Sequence, residues 1–86
     1  MHGKIPLFIT VEQMEHSWFV KQCQIDLGEG LAPMPPSRRP FISSGAAVNF
    51  MKRTALRELQ MRGRVAIGTD LDCHVSVCMS GRQPLT

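Results

Sequence analysis

Gly28, Gly30, Pro33, Pro35, Pro36 and Pro40 crowd the stretch between residues 28 and 44. Proline lacks a backbone donor, clashes in a helix interior and pushes the residue before it towards extended conformations. No helix can run through such a stretch, so it divides the chain into two parts that must find each other across it. The segment reads as an ordered surface loop or linker, partly polyproline II in character. Most connections within a compact domain take about six residues or fewer, so a loop of this length points either to a role of its own or to mobility.

The 86 residues allow one small domain. Apolar residues make up 43% and charged residues 20%, the composition of a globular protein and not of a disordered tail. So short a chain leaves much apolar surface exposed, and a partner or self-association would add stability. The formal charge of +3 permits contact with nucleic acid or an acidic protein surface without requiring either. No run approaches the roughly 20 apolar residues of a membrane helix. Met1 to Pro6 lack the apolar core of a secretory signal. Three cysteines leave at least one unpaired in a monomer, which fits a reduced, cytoplasmic protein.

In the first part, Ile5 to Ile9 read as a short strand, with Pro6 suited to an edge or a strand start. Thr10 and Gln13 have the spacing of a capping box, and Ile9 and Met14 that of a hydrophobic staple. These signals predict a helix from Val11 to about Leu27, stopped by Gly28. Val11, Met14, Trp18 and Ile25 would line one stripe of it, and Phe19, Val20, Cys23 and Leu27 a second, nearly opposite. A helix apolar on two sides is sandwiched in a core or partly buried in a partner.

In the second part, Ser43 or Ser44 caps a helix from about Ala46 to Arg62, with Val48, Met51, Ala55 and Leu59 as its core stripe. Gly63 ends it. Arg64 to Thr69 and Cys73 to Met79 read as two strands of a hairpin around Asp70-Leu71-Asp72. The expected fold is a single α+β domain over residues 1–79, in the order β-α-(Pro-rich loop 28–44)-α-β-β. It places two helices on a small antiparallel sheet, and residues 80–86 form a flexible C-terminal tail.

Function is sought first on the second helix. Arg53 and Arg57 stand one turn apart on its far side, with Phe50 and Met61 beside them. Arg, Glu and Gln are the ordinary composition of a solvated face, but Phe50 and Met61 are not. Interface centres favour aromatics, Met and Arg, so these four and Trp18 of the first helix are the candidate partner-binding residues. The alternative is nucleic acid, with Lys52, Arg53, Arg57, Arg62 and Arg64 on phosphates and Asn49, Gln60, Arg53 and Arg57 on base edges. The string from Arg53 to Val65 resembles the recognition helix of a winged helix-turn-helix protein entering its wing, over about a third of the chain. That resemblance implies DNA binding by helix 46–62 and the following hairpin. Winged helix-turn-helix proteins supply two further helices shortly before the recognition helix, where this chain has its proline-rich loop.

Other chemistry is weaker. Cys23, Cys73, Cys78, His16 and His74 are potential metal ligands, but Cys73 and Cys78 stand at the loose end of ligand spacing, strand alternation points them to opposite faces, and no second tight pair accompanies them. Free thiols fit better than a metal site. No nucleophile, base and phosphate-cradling glycine loop converge, so neither catalysis nor a cofactor is expected. Pro33-Met34-Pro35-Pro36-Ser37-Arg38 fits a polyproline ligand pattern, although a stiff spacer has the same composition, and Arg38 and Arg39 add a basic contact. The resulting expectation is a small intracellular regulatory or adaptor protein that binds and blocks another protein, a DNA-binding regulator or an enzyme, or else self-associates. DNA binding in the winged-helix manner is the alternative. Neither a membrane nor a small-molecule substrate is expected.

Overall fold

The computed structural model describes residues 4–65 and 68–78. Strands β1 (Ile5–Met14), β2 (Ser17–Asp26) and β3 (Leu31–Met34) come first, then helix α1 (Ser44–Met61) and strand β4 (Leu71–Cys78). They build one four-stranded mixed sheet in the order β3-β2-β1-β4, with α1 packed on one face. The hairpin β1–β2 and the pair β2–β3 are antiparallel, whereas β4 runs parallel to β1. A parallel pair cannot be closed by a tight turn, and α1 lies in the crossover that returns the chain to β1.

This overturns the expected order and the purely antiparallel sheet. The predicted first helix, residues 11–27, is the second half of β1, a turn and β2. Most residues of its opposed apolar stripes share one sheet face seen through the wrong period, whereas Met14 and Phe19 lie on the other face. Leu7, Ile9 and Val11 are buried at alternate positions of β1, and Val20, Cys23 and Ile25 are buried on β2. The register slips between Thr10, opposite Gln22, and Val11, opposite Val20, leaving Lys21 as the extra residue of a bulge. That bulge shifts the phase of β2, so its apolar spacing imitates a helix. Thr10 caps nothing; it is an interior residue of β1.

The turn between these strands consists of Glu15 and His16, both at positive φ, 55° and 79°. That is the conformation of a tight type I′ hairpin turn, usually written with Asn and Gly. Without either residue, the sequence carries no turn signal there. Within the proline-rich stretch, Leu31–Met34 pair with Cys23–Asp26 as β3. Pro33 is tolerated there because β3 is an edge strand.

The predicted second helix is present, shifted to Ser44–Met61. Ser43 Oγ accepts from the Ala46 amide at 3.1 Å, the expected N-cap. At the other end Gly63, at φ 69°, donates to the Gln60 carbonyl, and Arg64 donates to that of Leu59. These two bonds define a Schellman stop. The buried stripe is Ala47, Met51, Ala55 and Leu59, with Val48 half-buried at its margin.

The predicted hairpin after the helix is replaced by a different pairing. Arg64 and Val65 lie in a bend, residues 66–67 fall outside the described residues, and β4 pairs with β1. Leu71, expected in a turn, is a buried strand residue beside Ile5. The predicted tail, residues 80–86, also lies outside the described residues. Among the described residues no helix is long and apolar enough to cross a membrane, which leaves membrane β-barrels untouched.

Candidate binding surface

The outward side of α1 carries most of the residues singled out from sequence. Phe50, Thr54, Arg57 and Met61 fall at helical spacing along one stripe, with Arg53 beside them. Phe50, Arg53, Thr54 and Arg57 line a shallow groove of about 360 Å³. Met61 stands at the C-terminal end of the stripe, 76% exposed.

Phe50 itself is half-buried. Its ring packs against buried Phe41 with centroids 5.4 Å apart. The Arg39 guanidinium lies 5.1 Å from the Phe50 centroid and 5.6 Å from that of Phe41. A guanidinium stacked on aromatic faces keeps its in-plane N–H donors free for an anion at its edge. Phe41 is held in turn by the sheet: its amide and carbonyl exchange hydrogen bonds of 2.7 and 2.9 Å with Trp18.

Trp18 therefore sits elsewhere than expected. It lies half-buried on the helix-facing side of β2, packed against the core, and its backbone bridges that of Phe41. The structure joins Trp18, Phe50, Arg53 and Arg57 into one contiguous region and adds Arg39 and Phe41. Phe41 escaped sequence reading. Its only signal was a large aromatic closing a proline-rich run just ahead of the helix cap.

The candidate nucleic-acid residues divide. Asn49, Arg53, Arg57 and Gln60 are exposed on the outward face of α1. Lys52 points to the β4 side, where its Nζ lies 3.3 Å from Asp70 Oδ1. The Leu71 amide donates to the same carboxylate at 2.8 Å, and Lys4 lies at 3.9 Å. The Leu71 amide, then Lys52 and more weakly Lys4, hold the Asp70 carboxyl below the usual carboxylate range. Arg62 pairs with Glu58 at 3.3 Å. Arg64 lies beyond the helix, beside Lys4, Pro6 and Asp26 at the end of the sheet. Among the described residues Arg39, Arg53 and Arg57 have no carboxylate within ion-pair distance.

Cys73 and Cys78 lie in β4 on opposite faces, and Cys23 lies across β1 from Val75, diagonal to Cys73 on the same face. Burial, and secondarily the neighbouring Cys73, pushes the Cys23 thiol up to about 11. Burial also raises Cys73. Among the described residues no group of three or more His, Cys, Asp or Glu is placed to hold a metal ion. His74 Nε2 lies 3.0 Å from Asp72 Oδ2, and its ring stacks on Phe8 on the sheet face away from the helix.

No protein-family model matches the chain, and neither a curated protein nor a solved structure matches it.

Proposed function

We propose that this chain is a small cytoplasmic regulatory or adaptor protein that acts by binding another protein through the outward side of α1. One observation carries the reading: Arg39, Arg53 and Arg57 gather around a half-buried Phe50 with no carboxylate of their own among the described residues. Lys4, Lys52 and Arg62, by contrast, are each engaged by an acid of the same chain. An aromatic anchor flanked by unpaired arginines fits a partner surface that offers an apolar side chain beside carboxylates. The apolar contact supplies affinity, and bidentate Arg–carboxylate bonds supply orientation. Met61 adds a second exposed apolar residue about three turns beyond Phe50 on the same stripe.

The test is capture from the native host on immobilised wild-type protein, on Phe50→Ala and on Arg53→Ala/Arg57→Ala, each with and without nuclease. The expected result is a stoichiometric protein that survives nuclease and is lost with both variants, while their circular dichroism stays that of the wild type. Loss of the captured material on nuclease treatment would replace the reading with nucleic-acid binding. Capture unaffected by both variants would remove this surface from the function.

A further inference from the structure

The sheet has two unlike edges. On one side β3 is four residues long and carries Pro33, so it offers little backbone for another strand. On the other side β4 runs eight residues, Leu71–Cys78, without a proline, and no described strand pairs with its outer side. An open edge of this length is a template for strand addition unless it is blocked.

The hydrogen-bond phase shows which groups the edge presents. Ile5 is opposite Leu71, and its amide donates to the Asp70 carbonyl at 3.2 Å. In a parallel ladder this turns the backbone groups of Asp70, Asp72, His74 and Ser76 towards β1. Leu71, Cys73, Val75 and Val77 then turn theirs outward. The same residues project their side chains to the helix side of the sheet, beside the buried Leu7, Ile9 and Val11. Yet Val75 is 45% and Val77 54% exposed.

Charge identifies the occupant. On the face away from the helix, Lys21 of β2 reaches across β1, and its Nζ donates to Cys78 Sγ at 3.7 Å. Lys21 has no carboxylate partner among the described residues. Near Cys78 this face carries the Lys21 ammonium, with the buried Glu12 in register beside Cys78, and near Asp72 it carries an exposed carboxylate. An edge with opposite charges at its two ends is complementary to itself when run antiparallel. With Val75 opposite Val75, Val77 meets Cys73 of the other copy, His74 meets Ser76, and Asp72 meets Cys78 with Lys21 above it. The Asp70 and Asp72 ends stay apart, and the outward-facing backbone groups of Cys73, Val75 and Val77 find counterparts.

We propose that two copies of this chain pair through β4, antiparallel about a two-fold axis at Val75, and join their four-stranded sheets into one. The contact is isologous and closed, and it leaves the arginine surface of α1 uncovered. It stands independently of the partner-binding reading.

The test is the molar mass of the full chain in solution, followed over a roughly hundredfold concentration range, because association obeys mass action. The mass should rise from one chain to two and no further. In Val75→Pro the lost amide is one that the monomer does not use, and the protein should remain a monomer with unchanged circular dichroism. If proline disturbs the fold, Val75→Lys serves instead, since it places two ammonium groups together at the axis on a site already exposed. Asp72→Lys and Lys21→Asp should each raise the dissociation constant by roughly tenfold. The double exchange should restore it. A monomer at every concentration overturns the proposal, as does a dimer that survives both Val75 variants. Failure of the double exchange to restore pairing overturns the register.

Discussion

Lys52 of α1 and Asp70 of the segment before β4 stand 3.3 Å apart, so the helix is fastened to the strand that depends on it for its crossover. The same carboxylate accepts from the Leu71 amide, so it also caps the start of β4. The parallel pair β1–β4 has no tight turn to set its register. The Asp70 contacts and the burial of Leu71 supply that setting, because both fix where β4 begins.

Asp70→Asn should therefore lower the melting temperature at neutral pH and leave the secondary structure intact. The carboxyl titrates lower in the folded protein than in the unfolded chain. Its stabilisation is thus fully present above the unfolded value and is lost as pH falls through the folded one. Melting temperatures of wild type and variant should converge as pH drops through and below the ordinary carboxylate range. A constant difference down to strong acid would mean that the carboxylate charge is not what acts.

The hairpin turn stores removable strain. Glu15 and His16 both occupy the left-handed region, where a residue with a Cβ costs roughly 1 kcal/mol relative to glycine. His16→Gly should stabilise by about 1 kcal/mol, and Glu15→Asn with His16→Gly by somewhat more, because Asn-Gly is the preferred type I′ pair. Chemical denaturation at constant slope measures the gain. No gain would show that these side chains make compensating contacts.

That turn also explains where the sequence misleads. Ile5, Leu7, Ile9 and Val11 alternate in an unbroken strand pattern, but Thr10, Gln13 and Met14 imitate helix-start chemistry inside it. Beyond the turn, the bulge at Lys21 breaks the alternation between Val20 and Cys23. A helix and a bulged hairpin then leave nearly the same local trace, and only pairing with distant residues decides between them. α1 was readable because its signals are local: Ser43, the Met51, Ala55 and Leu59 stripe and Gly63 all act within the helix, although Ala47 and not Val48 completes the buried face. The parallel partner of β4 was not readable, since nothing within residues 71–78 distinguishes a hairpin neighbour from β1. The binding surface was half visible. Phe50, Arg53 and Arg57 share one helix, whereas Arg39 and Phe41 join them only through the fold.

Met51 lies at the centre of the helix–sheet contact, 1% exposed among Leu7, Ile9, Ile25 and the other core residues. Truncating it leaves a cavity that the rigid sheet cannot fill. Met51→Ala should cost about 2–5 kcal/mol, a large share of the stability of so small a domain. Met61→Ala, on the same helix but exposed, should change stability by about 0.5 kcal/mol or less. Comparable losses from the two would contradict the helix orientation.

Cys23 offers a chemical reading of the same core. It is 1% exposed, and burial pushes its thiol up to about 11 from an ordinary 9.0, with Cys73 a secondary cause. A buried protonated thiol is a poor nucleophile, so a small alkylating reagent near pH 8 should leave Cys23 unmodified in the folded protein and modify it in denaturant. Mass spectrometry of the labelled peptides separates it from Cys73 and Cys78. The linkage gives a second signature. Below the unfolded value both states hold the proton, and between about 9 and 11 only the folded state does. Stability must therefore fall as pH rises through that window, and Cys23→Ser should flatten this part of the fall. The serine hydroxyl, buried beside Ile9 and Ile25, should itself lower stability at neutral pH by roughly 1–3 kcal/mol, so the pH slope and not the absolute stability carries the comparison. Rapid alkylation of Cys23 under native conditions would place it outside the core and the register of β1 and β2 in error.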